Sequence, residues 1–236
     1  MGWSDWTRGA EIEPSIYAAD FSRLGEEVGR LLEAGAKIFQ FDVGDGHFVP
    51  AITIGPVVLQ SISPLFRERD GIVDVHLMVE SPERQFQAFA DAGAHSVTVH
   101  YEASDDLAGL ARAARDLGLA VGLAVSPETA VEPAAEAARD FDVVNCMGVH
   151  PGYSGQPFLT ETTERVRRFR ELLPAGVRIQ VDGGVGLDNV GELRAAGAEL
   201  FVVGSDLFGT RDPVAAYRAL ASSVRRSGWG ARATAR

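Results

Sequence analysis

The sequence predicts an α/β chain folded as one (β/α)8 barrel, the TIM-barrel class, and three observations lead there. Strand-like apolar runs alternate with helix-periodic segments eight times between Glu11 and Val224, the pattern of a parallel sheet wrapped by helices. Two aspartates far apart in the chain, Asp42 and Asp182, each end a largely apolar run and are followed at once by glycine-punctuated loops. Only a closed or strongly wound sheet brings two such strand ends to one site. The length, 236 residues with 46% hydrophobic and 23% charged, suits a single large core of this kind.

Residues 1–10, with Trp3 and Trp6, read as an extension docked on the surface, and the barrel is expected over residues 11–226. Glu11 to Tyr17 holds the first strand, with Ser15 near its end; Leu24, Val28, Leu31 and Leu32 then form a helical stripe that stops at Gly35. Ile38 to Asp42 is the second strand, and after the loop Gly44 to Pro56 a short helix is expected over Val57 to Ile62. The third strand is Ile72 to Met78, with its helix over Pro82 to Ala92 ended by Gly93. Ser96 to His100 and Leu107 to Leu117 make the fourth unit, Ala120 to Val125 and Val131 to Ala138 the fifth. Val143 to Met147 is the sixth strand, followed by a long glycine-rich loop and a helix from about Thr160 to Leu173. Val177 to Asp182 with Leu187 to Ala196, and Leu200 to Val203 with Pro213 to Val224, complete the eight. Residues 227–236, rich in Gly, Ala and Arg, read as a frayed tail.

The formal net charge of -11 argues against nucleic-acid or anionic-membrane partners, which need a basic surface. Only Arg225, Arg226, Arg232 and Arg236 form a locally basic segment. The single cysteine, Cys146, excludes an internal disulfide and any multi-cysteine zinc site. No apolar run reaches spanning length and residues 1–10 lack the regions of a signal peptide, so the expected location is the cytoplasm. A homo-oligomer is expected.

In a barrel the loops after all eight strands meet on one face, where the chemistry sits. The polar residues at those strand ends are Ser15, Gln40 and Asp42, His76, His100 and Glu102, Asp182, and Gly204-Ser205. Singly each has an ordinary explanation, since a strand-end Asp often caps the next helix and a lone buried His is usually hydrogen-bonded core. Their convergence on one mouth argues for a site.

At these residues the chain resembles the ribulose-phosphate 3-epimerase family, from about Glu13 to Ala219. The resemblance is carried by Pro14-Ser15-Ile16 with Ala19-Asp20-Phe21, by Asp45 to Pro50 with Ile52 to Pro56, by Asp74-Val75-His76-Leu77-Met78 and by His100-Tyr101-Glu102-Ala103. Its later carriers are Pro151 to Gln156, Val181-Asp182-Gly183-Gly184-Val185 and Gly204-Ser205. The resemblance implies a 1,1-proton transfer at C3 of a ketose phosphate through a 2,3-enediolate, with Asp42 and Asp182 as the two acid/base groups. Two groups on opposite faces of the carbon, with something to stabilise the oxyanion, are also the simplest chemical route to inversion. In the family the stabiliser is a divalent cation held by two His and two Asp, and Asp42, His76 and Asp182 match three of these positions.

The fourth position holds Gln40 where the family has His. An amide oxygen ligates hard cations such as magnesium or manganese but is a poorer ligand than imidazole for zinc, iron or cobalt. Gly44 stands where the family usually has Met, Ala51 replaces an Asn and Ser154 a Gly. Gly44 suggests room for a longer sugar, so a 3-epimerase of a hexulose or heptulose phosphate is the alternative, and a non-catalytic sugar-phosphate binder a third. Phosphate is expected on backbone N–H groups of Gly152, Tyr153, Ser154 and Gly155, of Gly183 and Gly184, and of Gly204 and Ser205. Ser15 and His76 complete the expected substrate contacts.

Overall fold

The computed structural model describes residues 2–7 and 9–226; the expected frayed tail lies outside the described residues. A short helix α1 (Trp3–Trp6) precedes β1 (Glu11–Pro14), α2 (Leu24–Glu33), β2 (Ile38–Gly44) and α3 (Pro56–Glu68). The chain continues through β3 (Ile72–Met78), α4 (Glu83–Ala92), β4 (Ser96–His100), α5 (Leu107–Asp116), β5 (Ala120–Val125) and α6 (Val131–Ala137). It ends with β6 (Val143–Met147), α7 (Thr162–Leu172), β7 (Arg178–Asp182), α8 (Val190–Ala196), β8 (Leu200–Val203), α9 (Ser205–Phe208) and α10 (Pro213–Arg226).

The eight strands form one sheet in the order β1-β8-β7-β6-β5-β4-β3-β2, every neighbouring pair parallel. A parallel bridge between Ser15 and Gln40 joins the two ends of that order and closes the barrel. The structure is therefore the (β/α)8 barrel that the alternation predicts.

Strand periodicity of two decides what faces where. Phe39 and Phe41 of β2 point outward to the helices, their rings packed edge-on against Phe66 of α3 and Phe89 of α4. All four are buried, each such side chain contributing about 1.5–3 kcal/mol from lost water contact. Their alternates Gln40 and Asp42 therefore point into the barrel. The register Gln40 to Asp74 and Asp42 to His76 sets matching inward positions side by side.

Two segments depart furthest from expectation. Helix α3 runs through Ser63-Pro64 to Glu68, past the expected end at Ile62. Pro64 removes the bond to the carbonyl four residues back, and the Ser63 hydroxyl donates to that carbonyl, Gln60 O, at 3.2 Å; Phe66 then buries the extra turn against β2. The N-terminal extension is more than surface trim. Trp3, 2% exposed, packs with Ile38, Ala120, Val143 and Leu200, the first residues of β2, β5, β6 and β8, so it plugs the floor opposite the mouth. Among the described residues no helix is long and apolar enough to cross a membrane.

Candidate active site

The second, third and seventh strands deliver the centre of the site. Asp42 and His76 are register partners on β2 and β3, and Asp182 ends β7 beside Met147. One ligand atom from each of Asp42, His76 and Asp182 lies within 4.8 Å of the others. His76 Nδ1 stands 3.0 Å from Asp42 Oδ1 and 3.3 Å from Asp182 Oδ2. The Gln40 amide Nε2 donates to the same two oxygens, at 2.7 Å each. Ser15 Oγ donates to the other oxygen of Asp42 at 2.6 Å. Five side chains that the sequence nominated thus meet at one point.

Electrostatics explains the arrangement. Burial works against charge on His76, but the hydrogen bonds and charges of Asp182 and Asp42 outweigh it and raise the imidazole to about 10. The cationic ring then separates two carboxylates that would otherwise repel. Behind it, His76 Nε2 is 2.9 Å from His100 Nε2, and burial pushes His100 down to about 4 against the pull of Glu102. Burial also opposes ionisation of Glu102, yet His100, Thr129 and the Ser126 N–H prevail and hold it near 2.

The donor set fits a divalent cation. Two carboxylates, an imidazole nitrogen and an amide converge, and Gln40 Oε1 is buried without a hydrogen-bond partner. Turned over, that amide would aim its oxygen at both carboxylates, an arrangement favourable only with a cation among them. Oxygen donors with one nitrogen suit hard ions better than a four-coordinate zinc site.

The predicted phosphate loops line a cleft over this centre that is open to solvent. Gly152, Tyr153, Ser154 and Gly155 form one wall, Gly183 and Gly184 a second, and Gly204 and Ser205 a third, with Ser15, Asp42 and Asp182 at the base. Gly183 and Gly184 have φ of 101° and 65°, and a Cβ on either would strike Val149 at 2.4 Å or Phe158 at 2.8 Å, so only glycine makes this turn. Gln40 and His76 are fully buried beneath the carboxylates rather than in the cleft wall. Met78, Met147, Val149 and Tyr17 also line the cleft. Sequence reading assigned them no role, because apolar residues at strand ends look like core.

Gly44 does not open space for the substrate. A Cβ there would lie 2.6 Å from Ala51 O and 3.0 Å from Val49 Cγ2, so the loop over residues 45–53 has folded into the room that a side chain would need. Asp45 holds that loop, accepting from His47 N, Phe48 N and Glu80 N at 2.8 Å each.

Known proteins place the chain in a family. The model of the "Ribulose-phosphate 3 epimerase family" matches residues 11–208. A ribulose-phosphate 3-epimerase of Mycobacterium tuberculosis is 41% identical over 217 residues, covering 91% of this chain and 93% of that protein. The protein of the same name from Escherichia coli K12 is 41% identical over 207 residues, 85% and 90% of the two chains. Among solved structures, a 3-hexulose-6-phosphate synthase superposes with a TM-score of 0.69 at 21% identity over 90% of this chain and 99% of that one. Orotidine 5'-phosphate decarboxylase from Pyrococcus horikoshii gives 0.67 at 17% over 91% and 99%; at such identities these two speak for the barrel alone. With the family model spanning the barrel and relatives at two-fifths identity along nearly their whole length, the chain belongs to the ribulose-phosphate 3-epimerase family.

Proposed function

We propose that the protein is a ketose-phosphate 3-epimerase that interconverts D-ribulose 5-phosphate and D-xylulose 5-phosphate by proton transfer between C3 and two aspartates. The observation that carries this reading is the meeting of Asp42 and Asp182, from β2 and β7, around His76 Nδ1 at the base of a glycine-walled cleft. Inversion at C3 requires one group to take the proton from one face and another to supply a proton to the opposite face. Asp42 and Asp182 are assigned these roles. The Ser15 hydroxyl, bonded to Asp42 Oδ2, holds one of the two carboxylates in place. Bound among Asp42, His76, Asp182 and Gln40, a divalent cation would supply positive charge for the oxygen that becomes negative when C3 loses its proton.

The phosphate is assigned to the backbone N–H groups of the three glycine loops, which bind anions without a basic side chain. An acidic protein can thereby hold an anionic substrate at one place. The relatives' printed names favour ribulose phosphate, and the filled space at Gly44 offers nothing to a longer sugar. Turnover on the phosphates of ribulose, allulose and sedoheptulose, with unphosphorylated ribulose alongside, tests the reading. The pentulose phosphate should be the best substrate and the free sugar very poor, since phosphate binding supplies energy remote from C3. Faster turnover of the hexulose or heptulose phosphate would transfer the assignment to the longer sugar.

A further inference from the structure

We propose that His100 and Glu102 are positioning residues that fix the tautomer of His76, so that its Nδ1 lone pair faces the two aspartates and is available to a divalent cation. The inference rests on the metal-centre reading above and extends it outward along a chain of hydrogen bonds. Each link of that chain has only one consistent direction.

The chain starts at Glu102. Its Oε1 accepts from the Ser126 N–H at 3.0 Å and from the Thr129 hydroxyl, while Oε2 lies 3.1 Å from His100 Nδ1. A carboxylate among such donors only accepts, so His100 must carry its proton on Nδ1. That leaves His100 Nε2 as an acceptor, and the nitrogen facing it at 2.9 Å is His76 Nε2. His76 must therefore donate through Nε2. In the neutral ring Nδ1 is then bare, and Nδ1 is the nitrogen that stands 3.0 and 3.3 Å from the oxygens of Asp42 and Asp182.

The far end is anchored. Arg165, on α7, donates to Thr129 O at 2.8 Å and Ser126 O at 2.9 Å, fixing the loop after β5 whose N–H and hydroxyl hold Glu102. His100 is fully buried and Phe48 packs over its ring, centroids 4.9 Å apart, which shields the contact between the imidazoles from water. Partners of this kind behind a ligating imidazole set its orientation and basicity, and their loss costs about 10–100-fold in metal affinity.

Substituting Glu102→Gln tests the direction of the chain. The Gln oxygen takes the Ser126 N–H and its amide then donates to His100 Nδ1. This forces His100 to donate through Nε2 and His76 to hold its proton on Nδ1, where it blocks the cation. Titration with Co²⁺, read by visible absorption and chelator competition, should show affinity about 10–100-fold weaker in Glu102→Gln and His100→Leu. His100→Gln, whose side-chain oxygen can accept from His76 Nε2, should recover most of the loss. Thr129→Val removes one donor at an exposed position and should give a smaller loss, serving as the test if Glu102→Gln does not fold. Wild-type affinity in Glu102→Gln and His100→Leu, or equal loss in His100→Gln and His100→Leu, overturns the proposal. If Co²⁺ binds the wild type no better than it binds Asp42→Asn, the metal-centre reading itself falls and the positioning role with it.

Discussion

In the proposed mechanism the chemistry turns on Asp42 and Asp182, and each should be indispensable for a different face of C3. Asp42→Asn and Asp182→Asn keep shape and hydrogen-bonding capacity, so the fold should persist while turnover falls about 10²–10⁴-fold; circular dichroism and a coupled assay check both halves. In the same proposal Gln40 is the fourth metal ligand. Gln40→His replaces a weak neutral oxygen donor by imidazole and should tighten Zn²⁺ or Co²⁺ binding, which chelator competition measures; unchanged affinity would remove position 40 from the ligand set. The pH dependence follows from His76, whose pKa is raised from 6.5 to about 10 in the metal-free protein. A folded-state value above the unfolded one gives stability that is complete below about pH 6.5 and lost as the pH rises through about 10. A cation must displace the same proton, so metal affinity should climb by about tenfold per pH unit across that window. A flat affinity profile would mean that the ion does not bind through His76. The aspartates and His76 were legible in the sequence because strand-end polar residues stand out against apolar runs. The buried polar layer below them was less so: Glu13 and Gln180, joined at 2.5 Å, and Asp74, bonded to Ser96 and Thr98, lie in mid-strand, where alternation marks a position without saying that the barrel interior is polar.

At the scale of elements, the loop over residues 45–53 limits the cleft. Thr53 Oγ1 accepts from Gly44 N and donates to Asp42 O, both at 2.8 Å, so the loop is tied to the strand that carries Asp42. Gly44→Ala would press its methyl into Ala51 O, backbone that cannot turn aside. It should destabilise the protein by about 1–3 kcal/mol, as overpacking does, and weaken substrate binding. Urea denaturation and KM provide the check, and unchanged stability would show that the loop yields easily. Gly44 looks like added room in the sequence because a missing side chain is visible there, whereas the chain that fills its place is not. Five strands, from β3 to β6 and β8, match their expected bounds, since parallel strands buried on both faces read as continuous apolar runs. Helix α3 outruns its expected end at Ile62: a proline inside a helix is locally unfavourable, and the Ser63 hydroxyl bond to Gln60 O that offsets it is not visible in sequence.

For the whole molecule, closure of the barrel separates the chemistry at one end from stability at the other. Trp3 plugs the floor among Ile38, Ala120, Val143 and Leu200. Trp3→Ala should cost about 3–5 kcal/mol and leave KM unchanged in the folded fraction; a large KM change would show coupling between floor and mouth. The extension was unreadable in sequence because two Trp residues before the first strand do not disclose which surface they meet. The central claim, that two aspartates exchange a solvent proton across C3, is tested most directly by epimerising D-ribulose 5-phosphate in D₂O and following deuterium at C3. Early product should carry one solvent deuteron at C3, and of Asp42→Asn and Asp182→Asn one should still exchange the substrate proton without inverting the carbon. Product formed without solvent deuterium, or near-normal epimerisation by either variant, would contradict the account.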